Sequence, residues 1–543
     1  MRIIEQITPK KAVATLFILW CILGVALFRD YSVSWDEPAE RVSGICSETV
    51  MQENLAGKKV PQQYYDLWQG DRFYGLAFQH ILLAAERIYT GSEINPMRYA
   101  SRDSWYLRHF MNFFAVTVGL VALYFSAKML KSPAQSEYYP VLAVLGFMLM
   151  PRFFAESFYN VKDIILLAGF MLAGSSLFSM MKKRSMASVA LFALTAAFVS
   201  AIRLQGVVFF LIGLVRIITW LRPSLIRRLG MVGVFTLLFI SFLVLFYPVS
   251  WENPLQFFVD AVKYMASHPW RGHVLFMGER FISTGMPWYY IAVWMAVTIP
   301  VPLILLGLTG SIFDAKRVIQ KCRSFRRVIV LLRGHGTAAL RFQIRCGLIL
   351  MFWGGLLFFS LFSNVFYNSW RHYYFLAWPL LFLIADGVCF VWQHVKNNFV
   401  MRRCMQTALF LFVVYIVAWN INAHPYQNCY FNIFAGNPNG RFETDYWRLS
   451  NTEAFRRIVE YSKENNKIST VRLSLTCYSA LVMLPKMDSQ YIKILNPNEK
   501  FEFYVWYDRP VGEKIRQDVI FEEKYCRDLF GKDVLLYTTL KLK

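Results

Sequence analysis

The sequence predicts a polytopic α-helical membrane protein with a small α/β domain after its last span, and three observations carry that prediction. Of 543 residues, 56% are hydrophobic and only 17% charged, with a mean hydropathy of +0.37; a large soluble core does not need that composition. The apolar runs are continuous and approach or exceed the ~18–20 residues that cross ~30 Å of hydrocarbon, without the alternation of a membrane β-barrel. Lysine and arginine gather between those runs, at Lys128 and Lys131, Lys182-Lys183-Arg184, Arg222 with Arg227-Arg228, Lys316 to Arg345, and Lys396 with Arg402-Arg403. That alternation follows the positive-inside rule, so the net charge of +23 faces anionic lipid headgroups and argues against nucleic acid as a partner.

Taking the basic segments as cytoplasmic gives about eleven spans: 12–28, 107–127, 138–154, 164–181, 186–202, 205–221, 230–248, 288–309, 346–363, 373–395 and 404–421. The N-terminus is then inside and the C-terminus outside. Arg2, Lys10 and Lys11 precede the first run and no small-residue cleavage site comes after it, so it reads as an uncleaved signal anchor. Residues 75–90 are apolar but interrupted by His80, Glu86 and Arg87; an amphipathic helix on the outer surface fits them better than a span. The domain organisation is a membrane domain over 1–422 and an extracytoplasmic α/β domain over 423–543. In the latter, Ser450-Asn451-Thr452-Glu453 matches a capping box opening an amphipathic helix. Val471, Leu473 and Leu475 alternate, as do Phe501, Phe503 and Val505, and both read as strands. Of nine cysteines none has zinc-like spacing, and Cys477 with Cys526 could form a disulfide.

Polar residues collect on the outer side. Asp36 and Glu37, in Ser34-Trp35-Asp36-Glu37-Pro38, emerge from the first run, as a helix-ending turn or as groups that take a proton from a substrate at the membrane surface. The turn Pro151 to Asp163 holds Glu156, Asn160, Lys162 and Asp163. Asp163 suits a helix cap, yet the turn has more polar residues than one cap needs, and Lys162 with a helix N-terminus suits a phosphate. Arg203, in a tight turn between two apolar runs, either snorkels to headgroups or meets a lipid phosphate at that depth. Asn368-Ser369-Trp370-Arg371-His372-Tyr373-Tyr374 places Arg371 and His372 where charge on a phosphate leaving group could be neutralised. His268 and His273 lack a nearby acid and make a weak metal site. Asp386, deep in the tenth span, reads as a helix-packing hydrogen bond.

These residues resemble the GT-C superfamily of membrane glycosyltransferases, in the branch of dolichyl-phosphate-mannose protein mannosyltransferases and bacterial aminoarabinose transferases. The resemblance rests on Trp35-Asp36-Glu37, the segment Pro151-Arg152 to Lys162-Asp163, and Trp370-Arg371-His372-Tyr373. Weaker supports are His268-Pro269-Trp270, Pro287-Trp288-Tyr289-Tyr290, His424-Pro425-Tyr426, and Glu443-Thr444-Asp445-Tyr446-Trp447. It implies a GT-C fold that transfers a sugar, with inversion, from a polyprenyl-phosphate donor to a glycolipid, polysaccharide or protein acceptor on the outer face. Asp36 would be the general base, and Glu37 and Asp163 would orient acceptor or sugar. Lys162, Arg203, Arg371 and His372 would hold the donor phosphate, with Asn160, Glu156, His268 and Tyr374 as further contacts. No cofactor is expected, and no metal site. Phe73-Tyr74-Gly75-Leu76 stands where protein mannosyltransferases carry a His-Pro-Pro type motif. That departure favours a bacterial glycolipid or polysaccharide acceptor and a location in the bacterial inner membrane. The rivals are a lipid-linked sugar transporter or flippase, whose ionisable residues would sit near the bilayer midplane, and a non-catalytic assembly subunit.

Overall fold

The computed structural model describes residues 8–542 except 93, 95–99, 134, 221–223, 267–271, 323–329, 332–333, 335, 363–364, 474–478, 496–500, 507–518 and 528–532. Three expectations, the contact by His268, the Cys477–Cys526 pair and the place of Leu475 in a strand, depend on positions outside the described residues.

Among the described residues each of the eleven apolar runs is helical, and seven helices are individually long and apolar enough to cross a membrane. These are Pro9–Leu27, Arg102–Leu130, Asp163–Lys183, Leu225–Phe246, Thr337–Phe362, Arg371–Val395 and Phe399–Ala423. Met186–Ser200 and Leu204–Ile218 are shorter apolar helices. Prolines break the other two runs. The run expected over 138–154 becomes Tyr139–Met148 and Pro151–Tyr159, bent by 71°, because Pro151 pushes Met150 out of the helical region to φ −97°, ψ 104°. The run over 288–309 divides into Tyr290–Thr298 and Val301–Lys321, with Ile299 extended ahead of Pro300.

Burial ranks these helices. In the most apolar window of Asp163–Lys183, 83% of residues are buried, and for Arg371–Val395 the figure is 78%, against 11% for Pro9–Leu27 and 17% for Phe399–Ala423. The first two therefore form the centre of the bundle, and the others present residues such as Ile18, Ile22, Phe410 and Leu411 outward as lipid-facing surface. Val301–Lys321 approaches the central Arg371–Val395 helix at backbone distance. A Cβ on Gly387 would lie 2.0 Å from the carbonyl oxygen of Leu306, and one on Gly310 would lie 1.9 Å from that of Leu383. Small residues are what permit that contact.

Between the first two spans lie the helices Asp36–Leu55, Gln62–Trp68 and Ala77–Thr90. The last is the amphipathic helix expected over 75–90; it ends at Gly91 in the left-handed region (φ 61°). Its buried Glu86 accepts from Arg41 Nε at 3.1 Å and lies 3.5 Å from Arg108, which ties the segment to its neighbours through paired charges.

After Ala423, residues 424–450 pack on the helical body. Asn432 donates to the carbonyls of Ala296 and Ile299 at 2.6 and 2.7 Å, satisfying backbone that the proline break leaves open. The helix Asn451–Glu464 and a five-stranded sheet come next, with spatial order Ile492–Ile494, Ser469–Leu473, Phe503–Trp506, Asp533–Leu542, Val519–Arg527. Ser469–Leu473 runs parallel to both its neighbours, with Val471 opposite Phe503, and the remaining pairings are antiparallel. Both expected strands are present. The capping box is not formed: Ser450 has helical dihedrals, and its hydroxyl and backbone N–H both donate to Asp445 Oδ2, at 2.6 and 3.0 Å, which takes the N–H that Glu453 would cap. Glu453 instead pairs with Arg456 and Arg457.

Gly387→Leu forces backbone apart at the bundle centre and is expected to destabilise the fold by about 3 kcal/mol or more. Thermal unfolding of the detergent-solubilised protein checks this; a midpoint equal to the parent's would contradict the close packing.

Candidate functional site

The site is built on the ends of the two most buried spans. Asp163 opens one of them, and its carboxylate does not cap the helix. Asn160 does so instead, its Oδ1 accepting from the backbone N–H of Asp163 at 2.8 Å and of Lys162 at 3.3 Å. Asp163 is thereby left to face two arginines: its Oδ1 lies 2.5 Å from Arg203 Nη2 and its Oδ2 lies 3.1 Å from Arg371 Nη1. Arg371 begins a 3₁₀ turn, Arg371–Leu376, at the head of the other central span. The chain enters that turn through Ser369 in the left-handed region (φ 61°), a conformation seldom adopted by a residue with a Cβ and one that redirects the backbone carrying Arg371.

Arg371 Nη1 also reaches Asp36 Oδ2 at 2.7 Å, and Nη2 donates to the Tyr446 hydroxyl at 2.5 Å. Its guanidinium lies over the rings of Tyr446 and Trp447, at 4.6 and 5.0 Å, in cation–π contact. Asp163 and Arg371 are nearly sealed, whereas the Asp36 side chain is 32% exposed. Asp36 is thus the carboxylate of this cluster open to an incoming molecule. It sits in the first turn of Asp36–Leu55, whose start is anchored by Trp35 N–H donating to the Trp447 carbonyl at 3.2 Å.

Two adjoining hollows meet here. One, about 200 Å³, is lined by Asp36, Glu40, Lys162, Arg203, Arg371 and His372 together with Tyr74, Tyr367 and Tyr446. The other, about 440 Å³, is mostly apolar, with Leu243, Tyr247, Phe258, Phe358, Phe359 and Phe362 among its walls. Tyr74, Arg203, Tyr367 and His372 line both. Lys162 pairs with Glu40 and lies over the Tyr74 ring at 4.3 Å. Burial raises Glu40's proton affinity above the usual carboxylate range, with Lys162 opposing. Burial likewise pushes the Tyr367 hydroxyl up to about 12, against the pull of Arg371. The Nε atoms of Arg203 and Arg371 are buried without an acceptor among the described residues, so the cluster retains donor capacity for an anion.

The other expected site residues lie behind this surface. Glu37 is fully buried; its Oε2 accepts from Ser34 N–H at 2.7 Å and its Oε1 lies 3.1 Å from His109 Nε2, so it anchors the loop that presents Asp36 and does not line the hollow. Glu156 accepts from the Tyr374 hydroxyl at 2.8 Å and from Asn160 Nδ2 at 2.6 Å. These three form a sealed scaffold beneath Asp163, because Pro151–Tyr159 is buried on every face. Sequence reasoning gave no role to Glu40, Tyr74, Tyr367 or Tyr446. Glu40 was within reach, since it stands one helical turn from Asp36 on the same face; the tyrosines have no sequence signal beyond their aromatic surroundings. Among the described residues no cluster of three or more His, Cys, Asp or Glu side chains could hold a metal ion, and the carboxylates of Asp36 and Asp163 face arginines.

No protein-family model matches the chain, and no curated protein matches it. Among solved structures, it is similar to ArnT from Cupriavidus metallidurans in the apo state, at 11% identity and TM-score 0.43 over 97% of this chain and 98% of that one. It is similar to the same protein bound to undecaprenyl phosphate, at 11% identity and TM-score 0.45 over 90% and 86%. It is also similar to the oligosaccharyltransferase AglB from Archaeoglobus fulgidus in complex with an inhibitory peptide and a dolichol-phosphate, at 11% identity and TM-score 0.39, covering 88% of this chain. The chain spans 64% of AglB's length.

Asn160→Ala removes the cap on Asp163 and one donor to Glu156, and is expected to cost about 1–2 kcal/mol of stability. Thermal unfolding checks this, and an unshifted midpoint would deny Asn160 its scaffold role.

Proposed function

We propose that this chain is a membrane glycosyltransferase that moves a sugar from a polyprenyl-phosphate donor to an acceptor hydroxyl with inversion, without a metal. The observation that carries the reading is the junction of the two hollows: an apolar groove opens, at Arg203 and His372, into a compartment where Glu40, Lys162 and Arg371 surround Asp36. A polyprenyl chain buries apolar surface in the groove. Its phosphate then lies among Arg203, His372, Lys162 and Arg371, where preorganised cations neutralise charge as it develops on the leaving group.

The chemistry is one displacement. The acceptor oxygen attacks the anomeric carbon from the face opposite the phosphate. The carbon–oxygen bond to phosphate breaks, its electron pair leaving with the polyprenyl phosphate. The hydroxyl proton passes to Asp36. An alcohol is a weak nucleophile, so a positioned carboxylate contributes roughly 10²–10⁴-fold. Asp163 holds Arg203 and Arg371 in place through its two oxygens, and Tyr446 and Trp447 hold the face of Arg371. Enzymes of this reaction class act on the non-cytoplasmic face, and the distribution of basic loops is consistent with that side for Asp36. The donor sugar and the acceptor are to be identified by assay of purified protein with polyprenyl-phosphate sugars.

Asp36→Asn is expected to lower turnover about 10²-fold or more while leaving the donor dissociation constant within about threefold. Release of free polyprenyl phosphate, measured beside donor binding, checks both quantities. Turnover near the parent's would refute Asp36 as base.

A further inference from the structure

A second polar constellation lies at the other end of the central helix, roughly 20 Å from Arg371 at 1.5 Å per residue. Arg345 Nη1 reaches Asp386 Oδ2 at 2.9 Å and Asp314 at 2.5 Å, and the Tyr139 hydroxyl donates to Asp386 at 3.0 Å. Both acids face Arg345, and as a packing device this group accounts for Asp386. It does not account for the space beside it. A hollow of about 250 Å³ is lined by Arg317, Lys321, Arg341 and Arg345, with Ser132 and Gln320, and no Asp or Glu is among its described walls.

Arg345 is held by Asp314 and Asp386, and among the described residues the other cations of this hollow have no acidic partner closer than 3.8 Å. Arg317 comes no nearer than 3.8 Å to Asp314 and lies over the Phe313 ring at 3.7 Å. Lys321 lies 5.8 Å from the centre of the Phe342 ring. Arg345, which is 7% exposed, has its Nη2 buried without an acceptor among the described residues, and Arg341 Nε is in the same state. Guanidinium groups lining one hollow match the oxygens of a phosphate. Lys321 and Arg317 occupy the C-terminal end of the Val301–Lys321 helix, where the dipole suits cations. Val318, Ala338 and Phe342 also line the hollow, so apolar side chains stand beside the charged groups, as a lipid bearing a phosphate headgroup requires.

We infer that the hollow between Val301–Lys321 and Thr337–Ile349 binds a phosphate group, presented by an anionic lipid or as the free ion, at the end of the bundle away from the sugar-transfer site. Donors from Arg341 and Arg345 and the charges of Arg317 and Lys321 hold it, and the bound phosphate ties the two helices that flank Asp386.

The test uses the full chain in neutral detergent. Native mass spectrometry measures retention of phosphatidylglycerol against phosphatidylcholine, and thermal unfolding compares inorganic phosphate with chloride at equal ionic strength. The variant combines Lys321→Gln with Arg341→Gln, both outside the Arg345–Asp386 network, and Lys182→Gln with Lys183→Gln is the control from another basic segment. Retention of phosphatidylglycerol that falls about thirtyfold in the first variant and holds in the control identifies a lipid headgroup. A phosphate-specific rise in midpoint that the first variant alone loses, without lipid retention, identifies the free ion. Equal binding in parent and first variant, or no preference for either phosphate source, overturns the inference.

Discussion

The structure is organised around one guanidinium. Arg371 is buried between Asp36 and Asp163, and its contact with Asp36 joins residues 335 positions apart in the chain. A buried charge is tolerable only when its partners are held in good geometry, and the surrounding fold supplies that geometry. Asn160 caps the helix so that the Asp163 carboxylate is free to face the arginines, Ser369 turns the backbone into position, and Tyr446 and Trp447 close the aromatic face. With Arg203 on the second oxygen of Asp163, the cluster balances two carboxylates with two guanidinium groups and still has two Nε donors to offer.

The placement of the cluster matters as much as its composition. It lies at the heads of the two most buried spans, so the groups with the strictest geometric demands rest on the least deformable elements. Residues that must admit a ligand come from peripheral segments: Asp36 and Glu40 from the helix after the first span, Tyr74 from the loop beyond it, and Tyr367 from the approach to Arg371. The apolar groove runs from this cluster toward Leu243 and Phe358 on outer helices, which gives an amphiphilic ligand a route in from the lipid. A transporter would be expected to place such groups near mid-bilayer; here they gather at helix ends.

Much of this was legible in the sequence because two kinds of signal are local. Apolar run length located the helices of all eleven expected spans, and proline explains both runs that broke. Polar residues crowded into turns between apolar runs pointed to Asp36, Lys162, Asp163, Arg203, Arg371 and His372, all of which line the hollow or hold groups that do. What could not be read is orientation. Glu37 adjoins Asp36 in sequence, yet successive helical residues point about 100° apart, so one faces the hollow and the other His109. Glu156 and Asn160 share a turn with Asp163 but lie under it. The roles of Tyr446 and Trp447 depend on the packing of residues 424–450 against the bundle, which no periodicity encodes. Ser450-x-x-Glu453 has the pattern of a capping box, and only the placement of Asp445 beside Ser450 shows why that pattern is not used.

The most direct measurement is an experimental structure of the full chain with undecaprenyl phosphate bound. The lipid chain is expected in the groove bounded by Leu243 and Phe358, with the phosphate within hydrogen-bond distance of Arg203 and Arg371 and Asp36 facing it across the hollow. A phosphate bound away from both arginines, or an Asp36 carboxylate turned away from the hollow once the lipid is present, would contradict the central role given to Arg371.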